Sequence, residues 1–457
     1  MVTSDDLTIG VKGKTLYDPK PLFMLPYILN RQVYRVFAPS KSRERGSRMT
    51  EKCLAVVNVN QDLCSRCCVC HSLCPYEAIN RDEETGKVEI DIQKCQVCGI
   101  CYSSCPSAAI EMEYYDYDHL IDYVDCVQKQ HKADTLVLMC RGNSPSTCEI
   151  EDILADQGVV CGKYIPLRIP CSGRVPTDFV FKVLNSGIKN IVSIQCEDNF
   201  CRYKEGTKIN ARRLQLSNNV LQQLGFDKNA VKVIKYSRKA FWDNTKCVGC
   251  DKCVFICPYD AIKAEAFATP KIIQEECVGC GACALVCQHQ AIEVKGFEFE
   301  NILKRYGESA VRMKMKSSNP AVLLFVCQWS EFNALDNPES VLKGKNAMVL
   351  EVPCFKAIDP VHVVNALKCG FDGVMGVVCS AEDCKLEKGR DTAERNLTVL
   401  KDALKKMNLL DRFELFEVSP RCAGDFSQKL EAFYQKISAL PKHEVIIVEA
   451  TGKRTRL

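Results

Sequence analysis

The sequence lacks the segments that carry a chain into or across a membrane. Charged residues interrupt the first 30 positions, so no apolar core of the signal-peptide type is present. The longest apolar runs, such as Ala321–Cys327, are far too short to span a bilayer. We therefore expect a protein of the cytoplasm.

The sequence also has no recognisable motif for a nucleotide cofactor and no cluster of histidines. No Gly-x-Gly-x-x-Gly opens a helix after a strand, so we predict neither an FAD nor an NAD site. Only 6 histidines and 2 tryptophans occur, and the scattered His71, His289 and His362 are interpreted as structural residues. Because no substrate site is recognisable, we expect a non-catalytic chain.

Cysteine, in contrast, is abundant: it occupies 31 of the 457 positions. A chain of this length suggests two to four domains at roughly 100–200 residues each. Disulfides, zinc sites and iron–sulfur clusters are the three explanations for so many thiols. Disulfide frameworks belong mainly to short secreted chains, and an odd number of cysteines cannot pair fully. We therefore set disulfides aside.

Sixteen of the cysteines belong to four copies of one motif of fixed spacing, Cys-x-x-Cys-x-x-Cys-x-x-x-Cys, which we call a string. The strings come in two tandem pairs, and a longer segment with four further spaced cysteines follows each pair, which indicates a duplicated chain. Proline follows three of the strings, and Gln288 follows the fourth. The string cysteines are Cys64, Cys67, Cys70, Cys74; Cys95, Cys98, Cys101, Cys105; Cys247, Cys250, Cys253, Cys257; and Cys277, Cys280, Cys283, Cys287.

The paired strings resemble bacterial two-cluster ferredoxins over Asp62–Ile110 and Thr245–Glu293. In that family the fourth cysteine of each string binds the other cluster. Cys68 lies inside a string at a non-ligand position, and Gln288 removes no ligand. The resemblance implies four [4Fe–4S] clusters, held by Cys64, Cys67, Cys70, Cys105; by Cys95, Cys98, Cys101, Cys74; by Cys247, Cys250, Cys253, Cys287; and by Cys277, Cys280, Cys283, Cys257.

The longer segments alternate short β-branched runs with amphipathic stretches, which predicts parallel sheets covered by helices. The predicted strands of the first are Thr135–Met139, Tyr164–Ile169, Ile191–Gln195 and Val231–Tyr236, with helices Thr177–Ser186 and Lys208–Leu224. Those of the second are Ala321–Val326, Ala347–Val352, Gly373–Val378 and Phe413–Val418, with helices Pro360–Cys369 and Thr392–Met407.

Each longer segment places its cysteines at or just beyond the ends of predicted strands. In an open parallel sheet the carboxyl ends of the strands meet at one edge, where ligands bind. Four thiols gathered there suit a [2Fe–2S] cluster or a tetrahedral ion. Zinc remains an alternative to iron, because ligation by four sulfurs does not distinguish the two metals. The third alternative is that these are ordinary core cysteines. The two sets are Cys140, Cys171, Cys196, Cys201 and Cys327, Cys354, Cys379, Cys384.

Motifs in both longer segments resemble the delta iron–sulfur subunit (MvhD type) of methyl-viologen-reducing hydrogenases. They are Pro170–Val175, Gln195–Tyr203, Phe325–Trp329, Pro353-Cys354, Ile358–Pro360, Cys379-x-x-x-x-Cys384 and Val418–Pro420. The resemblance implies one [2Fe–2S] cluster per segment. The family's second cysteine position holds Asn143 in one copy and Ser330 in the other, and Cys148 or Cys422 could substitute for a ligand.

The repeat and the two resemblances together predict α+β two-cluster ferredoxin domains that alternate with α/β parallel-sheet (MvhD-like) domains. Segments Glu111–Lys132 and Lys295–Ser318 are interpreted as connections, and the remaining Cys53, Cys126, Cys161 and Cys369 as small apolar residues. The predicted boundaries are 1–52 for an N-terminal extension or docking arm, 53–113 and 242–296 for the ferredoxin domains, 132–238 and 319–424 for the α/β domains, and 425–457 for a C-terminal helix and tail.

The delta-subunit resemblance implies an electron-transfer subunit of an anaerobe's heterodisulfide-reductase-like complex. It would relay electrons between a hydrogenase-like or formate-dehydrogenase-like donor and a flavin-containing partner of the heterodisulfide-reductase A type. The Cys-Cys-Gly signature of the subunit that cleaves the heterodisulfide is missing. Two alternatives stay open: an electron-wire subunit of a sulfur-metabolising or quinone-linked complex, and a metal-stabilised assembly scaffold.

The charge of the chain argues against nucleic acid as a partner. The formal net charge is +4, but metal-bound thiols are deprotonated, so six clusters would bring the loaded protein to about −8. The basic stretches Lys41–Arg48 and Lys453–Arg456 are short and are interpreted as solvated tails. We therefore expect a hetero-oligomeric complex with protein partners.

Overall fold

The computed structural model describes residues 54–441 apart from 56, 113–114, 144, 146, 159–163, 266–267, 317, 331–344, 359, 381–382, 385, 387–388, 420 and 424–425. The predicted docking arm 1–52, Cys53, Cys161 and the tail 442–457 lie outside these residues, as do the side chains of Cys148 and Cys422. No helix in the described part of the chain has the length and apolar character that a membrane span requires.

Two small units carry the cysteine strings; we name residues 57–112 the first string unit and residues 240–294 the second. Each has two antiparallel strand pairs and two one-turn helices, and each helix begins one residue before the third cysteine of a string. The first contains β2 Val57–Val59, α1 Val69–Leu73, β3 Ile79–Arg81, β4 Val88–Ile90, α2 Ile100–Ser104 and β5 Ile110–Met112, after β1 Leu54–Ala55. The second contains β10 Ala240–Trp242, α7 Lys252–Ile256, β11 Ile262–Glu265, β12 Ala268–Ile272, α8 Ala282–Val286 and β13 Ile292–Val294.

Two larger units are built on four-stranded parallel sheets, and we name residues 115–238 the first sheet unit and residues 297–441 the second. Their strand orders are β7-β6-β8-β9 and β15-β14-β16-β17. The first contains α3 Tyr117–His131, β6 Thr135–Cys140, α4 Thr147–Asp156, β7 Tyr164–Ile169, α5 Asp178–Asn185, β8 Asn190–Cys196, α6 Gly206–Gln223 and β9 Val231–Tyr236. The second contains α9 Phe299–Lys316, β14 Val322–Cys327, β15 Ala347–Val352, α10 Pro360–Lys368, β16 Gly373–Cys379, α11 Gly389–Lys406, β17 Phe413–Val418 and α12 Phe426–Ala439, with β18 Cys422–Ala423 before α12.

The predicted α/β parallel-sheet architecture is confirmed. The central strands β6 and β14 are buried along their whole length, because helices cover both faces of each sheet. All eight predicted strands occur, with bounds within one residue, while α6 and α11 begin two and three residues earlier than predicted. The alternation with ferredoxin domains and the origin by internal duplication stay predictions.

Both segments that the sequence assigns to connections hold a long helix. Leu120, Val124 and Val127 of α3 are buried against β6 in one core. Ile302 and Met313 of α9 occupy the matching place in the second sheet unit. The connection prediction misses these helices because it treats the segments between the repeats as spacers, although an amphipathic stretch next to an uncovered sheet face gains by burying its apolar side.

A carboxylate between two arginines joins the two sheet units. Glu351 of β15 accepts hydrogen bonds from Arg141, at 2.8 Å, and from Arg168, at 3.2 Å. Burial pushes the pKa of Glu351 up, but the two guanidinium groups outweigh this effect and hold the pKa below its usual range. Because Arg141 is only 1% exposed, the pair is largely withdrawn from water.

Further contacts connect each sheet unit with the string unit of the other half. Lys239, which lies between the two units in sequence, has its ammonium 3.2 Å from the ring centroid of Phe200 in the first sheet unit. The same ammonium donates to the carbonyl oxygens of Gln274, at 2.7 Å, and Cys277, at 3.0 Å, in the second string unit. At the other end, β1 pairs with β18 and Arg421 donates to the carbonyl oxygen of Gln93. The four units therefore form a closed ring in which each sheet unit contacts both string units.

Replacement of Glu351 by alanine leaves two buried arginines without their carboxylate. We expect the Glu351→Ala variant to lose about 3 kcal/mol of unfolding free energy at neutral pH, the usual cost of breaking a buried pair. Anaerobic urea denaturation measures this loss. Glu431→Ala, which removes an exposed partner of Lys345, is the control and should leave the transition nearly unchanged. Equal effects of both substitutions would contradict the interpretation.

Candidate metal centres

All four strings have the same backbone path. The second and fourth residues after the first cysteine, and the third residue after the last one, are left-handed in every string. These residues are Arg66, Cys68, Glu77; Val97, Gly99, Ala108; Gly249, Asp251, Asp260; and Gly279, Gly281, Gln290. Side chains rarely adopt this conformation, so its repetition at non-glycine positions indicates a constraint from the site. Successive left-handed residues turn backbone N–H groups inward, toward a bound anion.

Backbone N–H groups already reach several of the sulfur atoms. The fourth residue after the last cysteine donates to that cysteine's Sγ in three strings: Ala78 to Cys74 at 3.4 Å, Ala109 to Cys105 at 3.3 Å, and Ala291 to Cys287 at 3.1 Å. Such bonds stabilise negative charge on sulfur, which raises the reduction potential of a cluster bound there.

The structure brings together the cysteines that the ferredoxin resemblance groups across strings. In the first string unit, the cysteines that line one cavity are Cys74, Cys95, Cys98 and Cys101. Those that line another are Cys64, Cys67, Cys70 and Cys105, together with Cys68. In the second unit Cys283 interacts with Cys280, Cys277 and Cys257, while Cys253 interacts with Cys287 and Cys247. The members of three predicted sets, and three members of the fourth, thus lie together; Cys250 is the residue that these contacts do not include. The role of all sixteen residues as ligands stays a prediction.

The spacing of the thiols fits clusters better than single ions. Within the described ranges, no three His, Cys, Asp or Glu side chains converge on the position of one metal ion. The four ligands of a [4Fe–4S] cluster bind four different iron atoms, so their sulfurs surround a volume and do not meet at a point. A cavity lined by four thiols is the geometry that such a cluster requires.

The first sheet unit gathers its four cysteines at the carboxyl edge of the sheet. Cys140 and Cys196 end the neighbouring strands β6 and β8 and are hydrogen-bonded to each other. Ser172 also bonds Cys140, through its backbone N–H at 3.3 Å and its hydroxyl at 3.2 Å. Gly206, which starts α6, lies against Cys171: a Cβ at this position would overlap the Cys171 Sγ and lie 3.9 Å from that of Cys201.

The second sheet unit arranges its cysteines as a connected row. Cys327 ends β14 and is hydrogen-bonded to both Cys354 and Cys379, and Cys379 is in turn bonded to Cys384. The structure therefore places all four predicted residues of this set side by side. Asn143 and Ser330, which replace the family's second cysteine, make local hydrogen bonds instead: Asn143 accepts from the backbone of Arg238 at 2.9 Å, and Ser330 donates to the Cys327 carbonyl at 2.7 Å.

Neighbouring thiols in these sets have strongly divergent acidities. The bond from Cys196 lowers the pKa of Cys140 to about 6, and the same bond raises that of Cys196. The bond from Cys379 lowers the pKa of Cys384 to about 7. Hydrogen bonds from Cys354 and Cys379 also lower the pKa of Cys327. Thiolates are the ligand form of cysteine, so Cys140 in the first set and Cys327 and Cys384 in the second are the residues poised to bind metal first.

In the string units burial has the opposite effect. It raises the pKa of Cys98 to about 11 and the pKa values of Cys101 and Cys283 well above their usual range. These thiols are protonated at neutral pH unless a positive iron core replaces the proton. Cluster binding and proton release are therefore coupled at these positions.

A buried contact joins one string set to the sheet set in each half. Cys98 and Cys171 share a cluster of buried residues with Ile100 and Tyr203. In the second half Cys280 shares such a cluster with Cys327 and Cys354. We call the string set at this contact the inner set and the other string set the outer set. The outer sets contain Cys67 and Cys250, the two exposed cysteines among the described thiols.

A tyrosine lies at each of these junctions, and the sequence interpretation misses both. Tyr76 donates from its hydroxyl to the carbonyl of Arg202, at 3.0 Å, and Tyr259 does the same to the carbonyl of Leu386. Burial, and then the nearby thiolates, raise the pKa of both hydroxyls. The signal was available, because each tyrosine directly follows the Cys-Pro that ends the first string of its pair.

Comparison with known families assigns both kinds of unit. The family model "Methyl-viologen-reducing hydrogenase, delta subunit" matches residues 138–248 and 322–441, which cover most of the two sheet units. The family model "4Fe-4S dicluster domain" matches residues 240–294, the second string unit. The expectation of iron–sulfur cofactors is confirmed, while the number of clusters and the presence of [2Fe–2S] clusters stay predictions.

Similar proteins occur among archaeal reductases and hydrogenases. The A subunit of the ferredoxin/F420H2-dependent CoB-CoM heterodisulfide reductase of Methanosarcina acetivorans is 34% identical over 203 residues, 43% of this chain and 25% of that protein. The iron-sulfur D subunit of the F420-non-reducing hydrogenase of Archaeoglobus profundus is 34% identical over 67 residues, 15% of this chain and 49% of that protein. The corresponding vhc iron-sulfur protein of Methanococcus voltae is 25% identical over 137 residues, 29% and 94% of the two chains. The chain thus spans a quarter to a half of the first two relatives.

Cys68 can be replaced without loss of a cluster if it is the spare residue that its position indicates. Its φ of 58° matches that of Gly99 and Gly281 in other strings, and its Sγ donates to the Arg66 carbonyl at 3.4 Å. We expect Cys68→Gly to keep the iron content and the EPR spectrum of the native protein. Cys70→Ala, two residues away, should lose up to one cluster, or about four irons. Loss of iron from Cys68→Gly would show that Cys68 is a ligand.

Acid should promote cluster loss from the inner sets. A proton competes with iron for each buried thiolate, and the raised pKa values favour the proton as the pH falls. Iron release to a chelator under anaerobic conditions should accelerate about tenfold per pH unit for each proton taken up in the limiting step, between about pH 8 and pH 6. A release rate that does not change over this interval would contradict the coupling.

Proposed function

The chain belongs to the family of the methyl-viologen-reducing hydrogenase delta subunit, and on this premise we propose that it is an iron–sulfur electron-transfer subunit of a heterodisulfide-reductase-like complex. The observation that carries the proposal is the buried contact between string and sheet cysteines, which occurs in both halves. Such a contact brings two redox sites close without exposing either to water.

The donor sets fit a full complement of six clusters. We propose that the four string sets hold [4Fe–4S] clusters and that the two sheet sets hold [2Fe–2S] clusters. In a [2Fe–2S] cluster each iron takes two thiolates. The adjoining thiols Cys140 and Cys196, and the bonded row from Cys354 to Cys384, support this assignment over a single tetrahedral ion. Bound clusters supply one-electron redox chemistry, and the protein residues set the potentials.

The proposed route in each half runs from the outer set through the inner set to the sheet set. The exposed ligands Cys67 and Cys250 support entry or exit at the outer sets. Apolar side chains surround the second of these, with Val248 60% and Phe255 87% exposed. Large exposed apolar residues beside a redox site suit a docking partner.

Contacts between the two halves connect the proposed electron route of one half with that of the other. Lys239 bonds the Cys277 carbonyl of the second inner set and also lies over the ring of Phe200, 3.2 Å from its centroid, next to Cys201. Arg421 links Asp383, beside Cys384, with Gln93, close to Cys95. We propose that internal duplication joined two ferredoxin and α/β pairs within the boundaries 53–113, 132–238, 242–296 and 319–424, and that the duplicated halves offer two docking ends.

The proposed setting is a cytoplasmic complex of an anaerobe. The donor would be a hydrogenase-like or formate-dehydrogenase-like enzyme, and the acceptor a flavoprotein of the heterodisulfide-reductase A type. The similarity to an archaeal heterodisulfide reductase and to an archaeal hydrogenase supports both ends of this assignment. A sulfur-metabolising or quinone-linked complex with the same wiring is the alternative setting.

Metal analysis tests the cluster assignment. Anaerobically purified protein should contain about 20 irons and as many acid-labile sulfides per chain. A composition near 16 irons with two zincs would overturn the electron-transfer role of the sheet units and would favour a metal-stabilised assembly scaffold. The measurement needs only the native chain, and the protein with Cys354→Ala, which should lose two irons, serves as its control.

Co-purification from the native host tests the partners. We expect a flavoprotein and a hydrogenase-like or formate-dehydrogenase-like enzyme to remain bound under anaerobic conditions. Phe255→Asp should release one of them, because it puts a charge into the apolar surface at the second outer set. Val399→Asp, at an exposed apolar position of α11 away from both outer sets, is the control and should release neither. Recovery of a sulfur-oxidising or quinone-reactive enzyme would favour the alternative complex.

A further inference from the structure

Lys356 is a fully buried cation within the second sheet unit. It lies two residues after Cys354, in the turn Phe355–Ala357, and is 0% exposed. Its Nζ has no hydrogen-bond partner among the described residues. Burial of an unpaired ammonium is strongly unfavourable, so this position requires negative charge nearby.

Among the residues that the structure describes, the thiol set is the negative partner near Lys356. Lys356 interacts electrostatically with Cys354 and with Cys384, two members of that set. Its Nζ also lies 5.2 Å from the ring centroid of Tyr259, the tyrosine at the junction with the inner set. Asp383, the buried carboxylate of the same region, is already paired with Arg421 at 2.6 Å. The ammonium thus lies between the inner set and the sheet set.

The first half of the chain places its cations differently. Arg213 acts electrostatically on Cys171, but its guanidinium group also donates to the carbonyl oxygens of Gly173 and Val175, at 3.0 Å each. The position that corresponds to Lys356 is Gly173, two residues after Cys171, where a Cβ would lie 2.8 Å from the Cα of Gly206. No lysine can fit there. The next residue, Arg174, is 1% exposed and points at the string unit instead: its guanidinium donates to the Val97 carbonyl and acts electrostatically on Cys98.

We propose that Lys356 is the buried counter-charge of the metal centre in the second sheet unit and gives this centre a higher reduction potential than its counterpart in the first. The inference rests on the proposed function. One-electron reduction adds one negative charge to the centre while the inner cluster that supplies the electron is oxidised by one, and no proton is transferred. An ammonium in a low-dielectric site stabilises the more negative state, so the second sheet centre retains the electron more strongly.

The native protein provides the first test. EPR-monitored redox titration of the anaerobically purified chain should resolve two midpoint potentials for the sheet centres, the higher one from the second unit. Cys354→Ala, which removes a ligand of that unit, assigns the signal. Equal potentials, or a higher potential in the first unit, would overturn the proposal without affecting the electron-transfer role. Zinc in both sheet units would overturn the proposal and the proposed function together.

Removal of the charge provides the second test. In Lys356→Met the equilibrium constant for reduction of the second sheet centre should fall at least tenfold, which is about 59 mV for a one-electron couple, with the first centre unchanged. Lys436→Met, on the surface of the same unit, is the control and should shift neither potential. If Lys356→Met does not retain iron, Lys356→Gln replaces it. A variant that keeps its iron and its potential refutes the role of Lys356.

Discussion

The structure depends on the cost of placing thiolate charge inside a protein. Burial keeps inner string thiols such as Cys98 and Cys283 protonated, and only a positive iron core, a hydrogen bond or a nearby cation can stabilise their charged form. The protein itself supplies the last two: hydrogen bonds, such as those of the Ala291 N–H group with Cys287 and of Cys196 with Cys140, and the buried cations Arg174 and Lys356. The fold positions these groups around each set.

The two kinds of unit solve the same problem with different backbone geometry. A string unit wraps its site with left-handed loop residues, whereas a sheet unit collects cysteines from the carboxyl ends of adjacent parallel strands. The two kinds of unit contact each other at Tyr76 and Tyr259. At each tyrosine the loop of a string unit and the carboxyl edge of a sheet form one buried contact. Because that contact is formed by the ligand-bearing segments themselves, a movement of either unit would also change the distance between the sites.

Sequence patterns predict the sites well because the ligands recur at fixed local spacing and the strands are short apolar runs. The buried charged contacts are much harder to predict from the sequence. Glu351 lies 210 residues from Arg141 and 183 from Arg168, and no local pattern links residues so far apart. Lys356 follows a predicted ligand by two positions, yet its burial becomes visible only when the second string unit covers it. Helices α3 and α9 are missed for a similar reason: the sheet faces that they bury are formed by later segments.

The same comparison indicates why two halves with the same pattern of cysteines need not be equivalent. The repeat preserves every proposed ligand, since loss of one thiolate would lose a cluster, but it does not preserve the residues around them. Gly173 and Lys356 stand at one position of the repeat, and so do Ser72 and Phe255. The difference between Gly173 and Lys356 changes the charge beside a proposed sheet centre. The difference between Ser72 and Phe255 changes the surface beside a proposed outer set. Divergence at these neighbours can give the wire a preferred direction and distinct ends while every metal site is retained.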